Sequence, residues 1–302
     1  MELELENICK SFGEKQVLKN VSFTVKSGEA LGYLGRNGAG KTTTIRIITD
    51  IFRANSGSVT LDGKPINHKL IRMGYLPEER GLYPKIKVGE QMIYIGQLRG
   101  MTQQAAKKGA QALLEELEAT EYWGKKLETL SKGNQQKIQL AIAVLHNPDI
   151  VILDEPFSGL DPVNAAILKR LIVREVASDK LVLFSSHQMP YVEEFCEHIC
   201  IINQGEIVVD GGIREIKRGY PRNRVAVLPE GSPTQLAETL RTHNPSYMQS
   251  ITVKDNALEI TLTNPDAKAA LFSQLATMGV DKMEVVEPTL EEIFVEKAGG
   301  AV

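Results

Sequence analysis

Short apolar runs alternate with segments of helical spacing as far as about residue 219. Continuous apolar runs are typical of strands covered on both faces of a sheet, whereas a 3.6-residue spacing indicates helices. The segments predicted as strands are Ala30–Leu34, Val59–Leu61, Ile150–Leu153 and Leu181–Phe184, of which the last two are continuous apolar runs, and a helix is predicted over Thr43–Ile51. This alternation of strands and helices predicts an α/β core.

Two changes of pattern divide the chain. The stretch from Val88 to His146 is rich in Gln, Ala, Leu and Glu, so it predicts an inserted helical subdomain at about 86–146. The residues Arg218–Pro221 contain Gly and Pro and form a plausible break between domains. We therefore expect one domain over 1–219 and a small accessory domain over 220–302.

The accessory domain has its own order of elements. We predict strand, helix, strand, strand, helix and strand over Arg224–Leu228, Pro233–His243, Tyr247–Val253, Leu258–Leu262, Asp266–Met278 and Lys282–Val286. This order is that of a ferredoxin-like α+β domain. A last helix is expected after Pro288, because Thr289 and Glu292 have the spacing of a capping box.

Composition favours an intracellular protein. The chain has 302 residues, more than a single core usually holds, and a formal net charge of -3 with acids and bases mixed, so no nucleic-acid partner is expected. No apolar run approaches the ~20 residues that span a bilayer. The N-terminus alternates acid with leucine, unlike a signal peptide. Three cysteines form no disulfide framework, so we expect a cytosolic chain that reaches a membrane only through a partner.

Two of the cysteines flank a histidine. Cys196, His198 and Cys200 lie close together in the sequence, so a metal site is one interpretation. They straddle an apparent helix-to-strand junction without an evident fourth ligand. Small buried thiols are therefore the favoured interpretation.

Candidate chemistry begins with the glycine-rich segment Gly35–Thr42, which follows a predicted strand and precedes a predicted helix. In this pattern backbone N–H groups surround phosphates, a lysine reaches the outer phosphates and a hydroxyl binds magnesium. We assign the last two functions to Lys41 and Thr42, and an ordinary glycine-rich turn is the alternative. The predicted ATP-binding residues are Gly35, Arg36, Asn37, Gly38, Ala39, Gly40, Lys41, Thr42 and Thr43, with Phe12 added by the resemblance described below.

A second candidate site follows the apolar run Ile150–Leu153, which ends in Asp154 and Glu155. Asp154 is suited to hold Mg²⁺ beside Thr42, and Glu155 is suited to polarise the water that attacks the γ-phosphate. An acidic turn after a core strand is the alternative. The preceding phosphate loop favours the catalytic interpretation.

Further motifs, in a fixed order, resemble those of ABC-transporter ATP-binding subunits. Leu130–Lys137 is similar to the family signature, Ser158–Asp161 to the D-loop and Ser185–His187 to the segment of the switch histidine. The resemblance covers essentially the whole first domain and implies a P-loop NTPase ABC cassette. It implies that Phe12 stacks on adenine, that His187 contacts the γ-phosphate and that Asp161 couples two nucleotide sites. It also implies that the signature residues Ser131, Lys132, Gly133 and Asn134 close over ATP bound by a second subunit.

The resemblance also implies partners. Two cassettes, this chain with a second copy or a related one, would associate head to tail on ATP and Mg²⁺. Hydrolysis, with Lys41, Glu155 and His187 as catalytic residues, would drive an integral membrane permease. The chain would then be cytoplasmic and peripheral on the inner face of the cell membrane.

Two segments depart from the family pattern. Lys132 and Asn134 stand where the family commonly has Gly and Gln, and Glu78 stands where it usually has Gln. A carboxylate at that position can also bind magnesium, so we predict Glu78 as a metal ligand together with Thr42 and Asp154. We hypothesise that Glu78 links metal occupancy to the helical subdomain and the permease.

The transported substrate is suggested only by analogy. The segments 74–84 and 287–294 resemble bacterial sodium-extrusion and drug-export ATP-binding proteins with a separate permease. A non-transport ABC ATPase acting on ribosomes or DNA is one alternative, and a non-hydrolysing regulatory module is another. Glu155 favours hydrolysis, and a P-loop kinase would have no use for the signature or the switch histidine.

Overall fold

The computed structural model describes residues 1–79, 81–243 and 246–299. Its contacts divide the chain into two compact units. The first comprises Met1–Ile213 together with the chain from Phe294 onward, and the second is Arg214–Ile293. The domain boundary after residue 219 stays a prediction.

The described residues up to 212 form ten strands and six α-helices. The strands are β1 (Glu2–Phe12), β2 (Lys15–Lys26), β3 (Ala30–Leu34), β4 (Ser56–Leu61), β5 (Lys64–Pro65), β6 (Met73–Leu76), β7 (Ile150–Asp154), β8 (Leu181–Ser185), β9 (His198–Asn203) and β10 (Glu206–Gly212). The helices are α1 (Lys41–Ile48), α2 (Val88–Leu98), α3 (Gln103–Glu116), α4 (Lys132–Val144), α5 (Pro162–Ala177) and α6 (Met189–Phe195), and α7 (Ile213–Arg218) follows.

A six-stranded sheet forms the centre of the first unit, in the order β10-β9-β3-β8-β7-β6. All neighbouring pairs are parallel except β9 and β10. Every residue of β3, β7 and β8 is buried, as their continuous apolar runs predict. Parallel strands end at the same edge, so this sheet brings together the segments that follow β3, β7 and β8. The predicted α/β class is confirmed.

A second, antiparallel sheet has the order β2-β1-β4-β5. The alternation of acid and leucine at the N-terminus is the period-2 pattern of its strand β1, where Leu3 and Leu5 are buried. One apolar core joins this sheet to the central one, and Phe23 packs on Tyr33 with ring centroids 5.0 Å apart. Neither β1 nor β2 was assigned from the sequence.

Helices α2, α3 and α4 lie between β6 and β7, where the sequence predicts helical structure. Two short 3-10 segments, Thr120–Tyr122 and Leu127–Thr129, precede α4. Helix α4 is almost wholly buried, with eleven of its residues inside. The mixed sheet with an inserted helical subdomain is therefore confirmed.

Helix α1 differs from the prediction at both ends. It begins at Lys41, before the predicted start, because the phosphate loop leads directly into its first turn. It ends at Ile48 because the next residues leave the helical conformation, and Asp50 has a left-handed φ of 58°.

The second unit has the predicted element order. Its elements are β11 (Arg224–Pro229), α8 (Pro233–His243), β12 (Met248–Lys254), β13 (Ala257–Leu262), α9 (Lys268–Leu275) and β14 (Val280–Val286). The antiparallel sheet order β12-β13-β11-β14 is that of a ferredoxin-like domain. Helix α9 starts later than predicted, because a 3-10 turn over Pro265–Ala267, capped by Asn264, precedes it.

The last helix, α10 (Leu290–Lys297), begins with the predicted capping box. The Thr289 N–H donates to Glu292 Oε2 at 3.0 Å, and the Glu292 N–H donates to Thr289 Oγ1 at 3.2 Å. No helix in the described part of the chain is long and apolar enough to cross a membrane.

Candidate active site

The phosphate loop connects β3 to α1 in a conformation that requires glycine. Gly38 has a φ of 81° and Gly40 a φ of 121°, both outside the region that L side chains favour. A Cβ on Gly40 would also lie 2.6 Å from Leu18 Cδ2. Lys41 is 7% exposed, and its Nζ donates to the Gly35 carbonyl at 2.6 Å. The loop is therefore closed on itself, with its lysine held inside.

A buried chain of hydrogen bonds fixes the start of α1. The Gly40 carbonyl accepts from the Thr44 N–H at 3.0 Å and from Thr44 Oγ1 at 3.1 Å. Tyr33 Oη lies 3.0 Å from the same Thr44 hydroxyl, which leaves the tyrosine as the donor. Burial raises the pKa of Tyr33, so it keeps its proton. The orientation of the Gly40 peptide is thus set from β3.

A cavity of about 370 Å³ opens over the loop. Its lining consists of Lys15, Val17, Arg36, Asn37, Gly38, Gly40, Lys41, Thr42, Thr43 and Glu78. Most of the predicted ATP-binding residues meet here, together with the predicted metal ligand Glu78. Gly35 and Ala39 belong to the same loop but do not line the cavity. Lys15 and Val17 are not predicted from the sequence, because both lie on β2, a strand that the sequence pattern does not identify.

Phe12 lies at the end of β1, outside the lining of the cavity. The residue is 45% exposed, and its ring packs edge to face with that of Phe52, with centroids 5.4 Å apart and an interplanar angle of 69°. Lys15 is its direct partner on β2. An aromatic side chain therefore stands beside a residue that lines the cavity.

Asp154 ends β7 and is 1% exposed. Ser185 Oγ donates to its Oδ1, whereas its Oδ2 is buried without a hydrogen-bond partner among the described residues. Burial raises the pKa of Asp154, and the nearby Glu78 and Glu155 raise it further. A buried carboxylate oxygen without a donor is suited to a cation or a water bound to one.

Glu155 follows in a left-handed conformation, with a φ of 52°. This turn directs its carboxylate to the segment after β8. Glu155 Oε2 lies 2.8 Å from His187 Nδ1 and accepts from the His187 N–H at 3.4 Å. The Glu155 side chain is 5% exposed, whereas that of His187 is 59% exposed. A buried carboxylate is thus connected to solvent through an imidazole, which is the arrangement that proton transfer needs.

The predicted magnesium ligands differ in burial. Thr42 is half-buried and Glu78 is exposed, and both line the cavity. The described residues contain no cluster of three or more His, Cys, Asp or Glu side chains that could hold a metal alone. Magnesium commonly takes one or two protein oxygens and completes its shell with phosphates and water. The hydroxyl of Thr42 and the unpaired oxygen of Asp154 fit such a site.

The signature residues occupy the start of α4 and do not line the cavity. Ser131 caps the helix by accepting from the Asn134 N–H at 3.3 Å, and Asn134 Nδ2 donates to Tyr122 Oη at 2.7 Å. Gly133 is buried, whereas Lys132 is exposed. The structure thus separates these four residues from the phosphate loop of the same chain.

Asp161 has a clear local function, since it caps α5. Its carboxylate accepts from the Asn164 N–H at 2.9 Å, and the hydrogen bonds from Asn164 lower its pKa. A Cβ on Gly133 would lie 3.1 Å from Asn164 Nδ2, so the signature helix packs closely on this cap. Coupling of two nucleotide sites through Asp161 stays a prediction.

The two cysteines near His198 are buried thiols, as favoured from the sequence. Cys196 and Cys200 are free and buried, and burial raises the pKa of each thiol. Both are therefore protonated and unreactive at neutral pH.

Both parts of the chain match known protein families. Residues 18–158 match the family model described as "ABC transporter". Residues 211–298 match the model described as "ATP-binding protein DrrA1-3-like, C-terminal domain".

Individual proteins give the same result over the full length. The chain is 40% identical over 299 residues to the uncharacterized ABC transporter ATP-binding protein YhaQ of Bacillus subtilis, covering 98% of each chain. It is 31% identical over 306 residues to the linearmycin resistance ATP-binding protein LnrL of the same organism, again covering 98% of each. A solved dimeric bacterial ABC transporter cassette superposes with a TM-score of 0.63 at 26% identity, over 70% of this chain and 99% of that one.

Proposed function

The chain belongs to the family of ABC transporter ATP-binding proteins, and we propose that it is the motor subunit of an exporter whose permease is a separate membrane protein. Proteins of this family bind and hydrolyse ATP, and this chain is an ATPase of that type. The observation that carries the proposal is the meeting of the phosphate loop with Asp154, Glu155 and His187 at one edge of the sheet.

The residues at this edge divide the work of hydrolysis. The loop N–H groups and Lys41 hold the phosphates, and the dipole of α1 adds to their attraction. Magnesium bound by Thr42 and Asp154 would neutralise phosphate charge. Glu155 accepts a proton from the attacking water, and His187, in contact with Glu155, orients the carboxylate and faces the γ-phosphate.

A second copy or a related cassette completes the site. Ser131 and Gly133 lie at the start of α4, away from the cavity of their own chain. The start of a helix attracts anions, so this end of α4 is suited to close over the γ-phosphate held by a partner. The similarity to a solved dimeric cassette supports this arrangement. ATP then favours the closed dimer, and hydrolysis releases it.

The membrane partner is proposed from the transporter family to which the chain belongs. No described helix is long and apolar enough to cross a bilayer. We place the chain in the cytoplasm, on the inner face of the cell membrane. The similarity to a linearmycin resistance ATP-binding protein and to a Nod factor export ATP-binding protein supports export, with drug-like compounds or sodium ions as candidate cargo.

Two measurements test this function. Purified wild type should release phosphate from ATP steadily, and Glu155→Gln should slow release by about 10²- to 10⁴-fold while retaining ATP binding. Glu238→Gln, an exposed change on α8, is the matched control and should leave the rate unchanged. Equal rates in wild type and Glu155→Gln would refute the catalytic assignment.

The second measurement identifies the partner. Tagged Glu155→Gln would be captured with ATP from detergent-solubilised native membranes, and the associated proteins identified by mass spectrometry. Stoichiometric recovery of a protein with several membrane spans supports the transporter. Recovery of ribosomes, nucleic acid or the chain alone would contradict it.

A further inference from the structure

The environment of Phe12 is more ordered than its exposure suggests. The residue is 45% exposed, yet its ring and that of Phe52 pack edge to face, and Lys10 Nζ lies 5.1 Å from the Phe12 ring centroid. An ammonium within about 6 Å of a ring centroid is attracted by the negative face of the ring. The Phe12 ring is therefore held by two neighbours, the Phe52 ring and the Lys10 ammonium group.

Lys10 is itself fixed by the backbone. Its Nζ donates to the Arg53 carbonyl at 2.6 Å, and it also lies 6.0 Å from the centroid of Phe52. No carboxylate forms an ion pair with Lys10 within the described ranges. The Lys10 ammonium group therefore interacts with the rings of Phe12 and Phe52 and with the Arg53 carbonyl oxygen.

Phe52 provides a firm support for this arrangement. It is partly buried against the apolar core between the two sheets, and Arg46 lies 5.6 Å from its ring centroid. Because Phe52 is anchored in the core, its edge-to-face contact limits rotation of the Phe12 ring.

Phe12 lies next to the cavity over the phosphate loop. Phe12 is paired with Lys15 across the β1–β2 ladder, and Lys15 lines the cavity. Directly paired residues on antiparallel strands have Cβ atoms about 5 Å apart. A base attached to phosphates in the cavity can therefore reach the exposed part of the Phe12 ring.

We infer that Lys10 is a positioning residue for base binding: its ammonium, together with Phe52, holds the Phe12 ring in place, and the exposed part of that ring is the platform for adenine. This inference rests on the proposed function, because it requires that ATP binds in the cavity. It assigns Lys10 a contribution to the affinity for the base and none to the affinity for the phosphates.

The experiment compares two ligands that share phosphates but not the base. Equilibrium dissociation constants for ADP and for inorganic tripolyphosphate would be measured with wild type, Lys10→Met and Lys10→Arg. Lys10→Met keeps the length of the side chain and removes the charge, and it should weaken ADP binding about two- to fivefold. Tripolyphosphate binding should be unchanged, and Lys10→Arg should restore ADP affinity. Lys19→Met, which removes an exposed ion pair between β2 and β10, is the matched control and should change neither constant.

A second variant ties the effect to the ring. In the Phe12→Ala background, Lys10→Met should have no further effect on ADP affinity, because the interaction acts through Phe12. Unchanged ADP affinity in Lys10→Met, an equal loss for tripolyphosphate, or a full Lys10 effect without the ring would each overturn the inference. Failure of wild type to bind either ligand would instead refute the proposed function.

Discussion

Replacing Asp154 by asparagine should stabilise the nucleotide-free protein while weakening its response to magnesium nucleotide. Asp154 is 1% exposed, and its Oδ2 has no hydrogen-bond partner in the described part of the chain. Burial raises its pKa, so the ionised form of Asp154 is held at a cost in folding free energy. Asparagine preserves the shape and the acceptor for Ser185 but removes the charge.

The size of the effect follows from the unpaired oxygen. A buried polar group without a partner costs about 1–3 kcal/mol, and more when charged. The new amide also lacks a partner, so we expect a net gain in unfolding free energy of about 1–2 kcal/mol. For a unit of this size that corresponds to about 2 to 8 °C in the unfolding temperature.

The gain should depend on pH. The folded-state pKa of Asp154 is raised, so the folded protein binds more protons than the unfolded chain between the two pKa values. Wild-type stability therefore falls as the pH rises through this interval. The advantage of Asp154→Asn should be absent below the unfolded pKa and complete above the folded one.

Asp149→Asn is the control of opposite sign. Asp149 pairs with Arg72 at 2.5 Å, and this partner lowers its pKa. Its stabilisation is therefore present above its unfolded pKa and is lost as the pH falls, so Asp149→Asn should lower stability at neutral pH.

Thermal unfolding followed by circular dichroism, across the pH range and with ADP with or without Mg²⁺, measures both variants. The magnesium-dependent part of the ADP-induced shift should be smaller in Asp154→Asn. An unfolding temperature of Asp154→Asn at or below that of wild type, with Asp149→Asn behaving as expected, would refute the reasoning.

Three further predictions concern backbone strain, the metal and acid stability. Gly40→Ala should lower the unfolding free energy by about 1–3 kcal/mol and weaken ADP binding. The φ of 121° at this position is unfavourable for alanine, and the new Cβ would lie 2.6 Å from a side-chain atom of Leu18. Gly63→Ala is the control, because Gly63 also has a positive φ but faces open space, and it should leave ADP binding intact in the same titration. Glu78→Ala should abolish nucleotide-stimulated transport in reconstituted vesicles while Glu78→Gln retains it, and an indifferent Glu78→Ala would contradict a role in metal coupling. Arg224 is the main cause of the lowered pKa of Glu292, which is about 2 instead of the ordinary 4.5. The pair therefore contributes stability that is lost as the pH falls from 4.5 to about 2. Arg224→Ala should therefore flatten the acid side of the stability curve, and an unaltered curve from urea unfolding would disprove the assignment.

The features predicted correctly from the sequence are those determined locally. The strands β3, β7 and β8 are continuous apolar runs, and the capping box at Thr289 needs only a three-residue spacing. The element order of the second unit follows from the same alternation of short segments.

The features that were missed depend on contacts distant in sequence. Lys15 reaches the cavity only because β2 pairs with β1, and neither strand was assigned. The contact between Glu155 and His187 requires that β7 and β8 be neighbours in the sheet, which motif order alone does not establish. The support of Phe12 by Phe52 likewise joins residues from separate elements.

The helical insertion has a consequence for how this protein can diversify. Strands β6 and β7 pair in parallel, with Met73 opposite Ile150, and such a pair needs only one crossover helix, which α4 supplies. Helices α2 and α3 are additional to that requirement. Their length and surface can therefore change over evolution without shifting the strand register that places Asp154 and Glu155. A change in the surface of these helices would therefore leave in place the residues that carry out ATP hydrolysis.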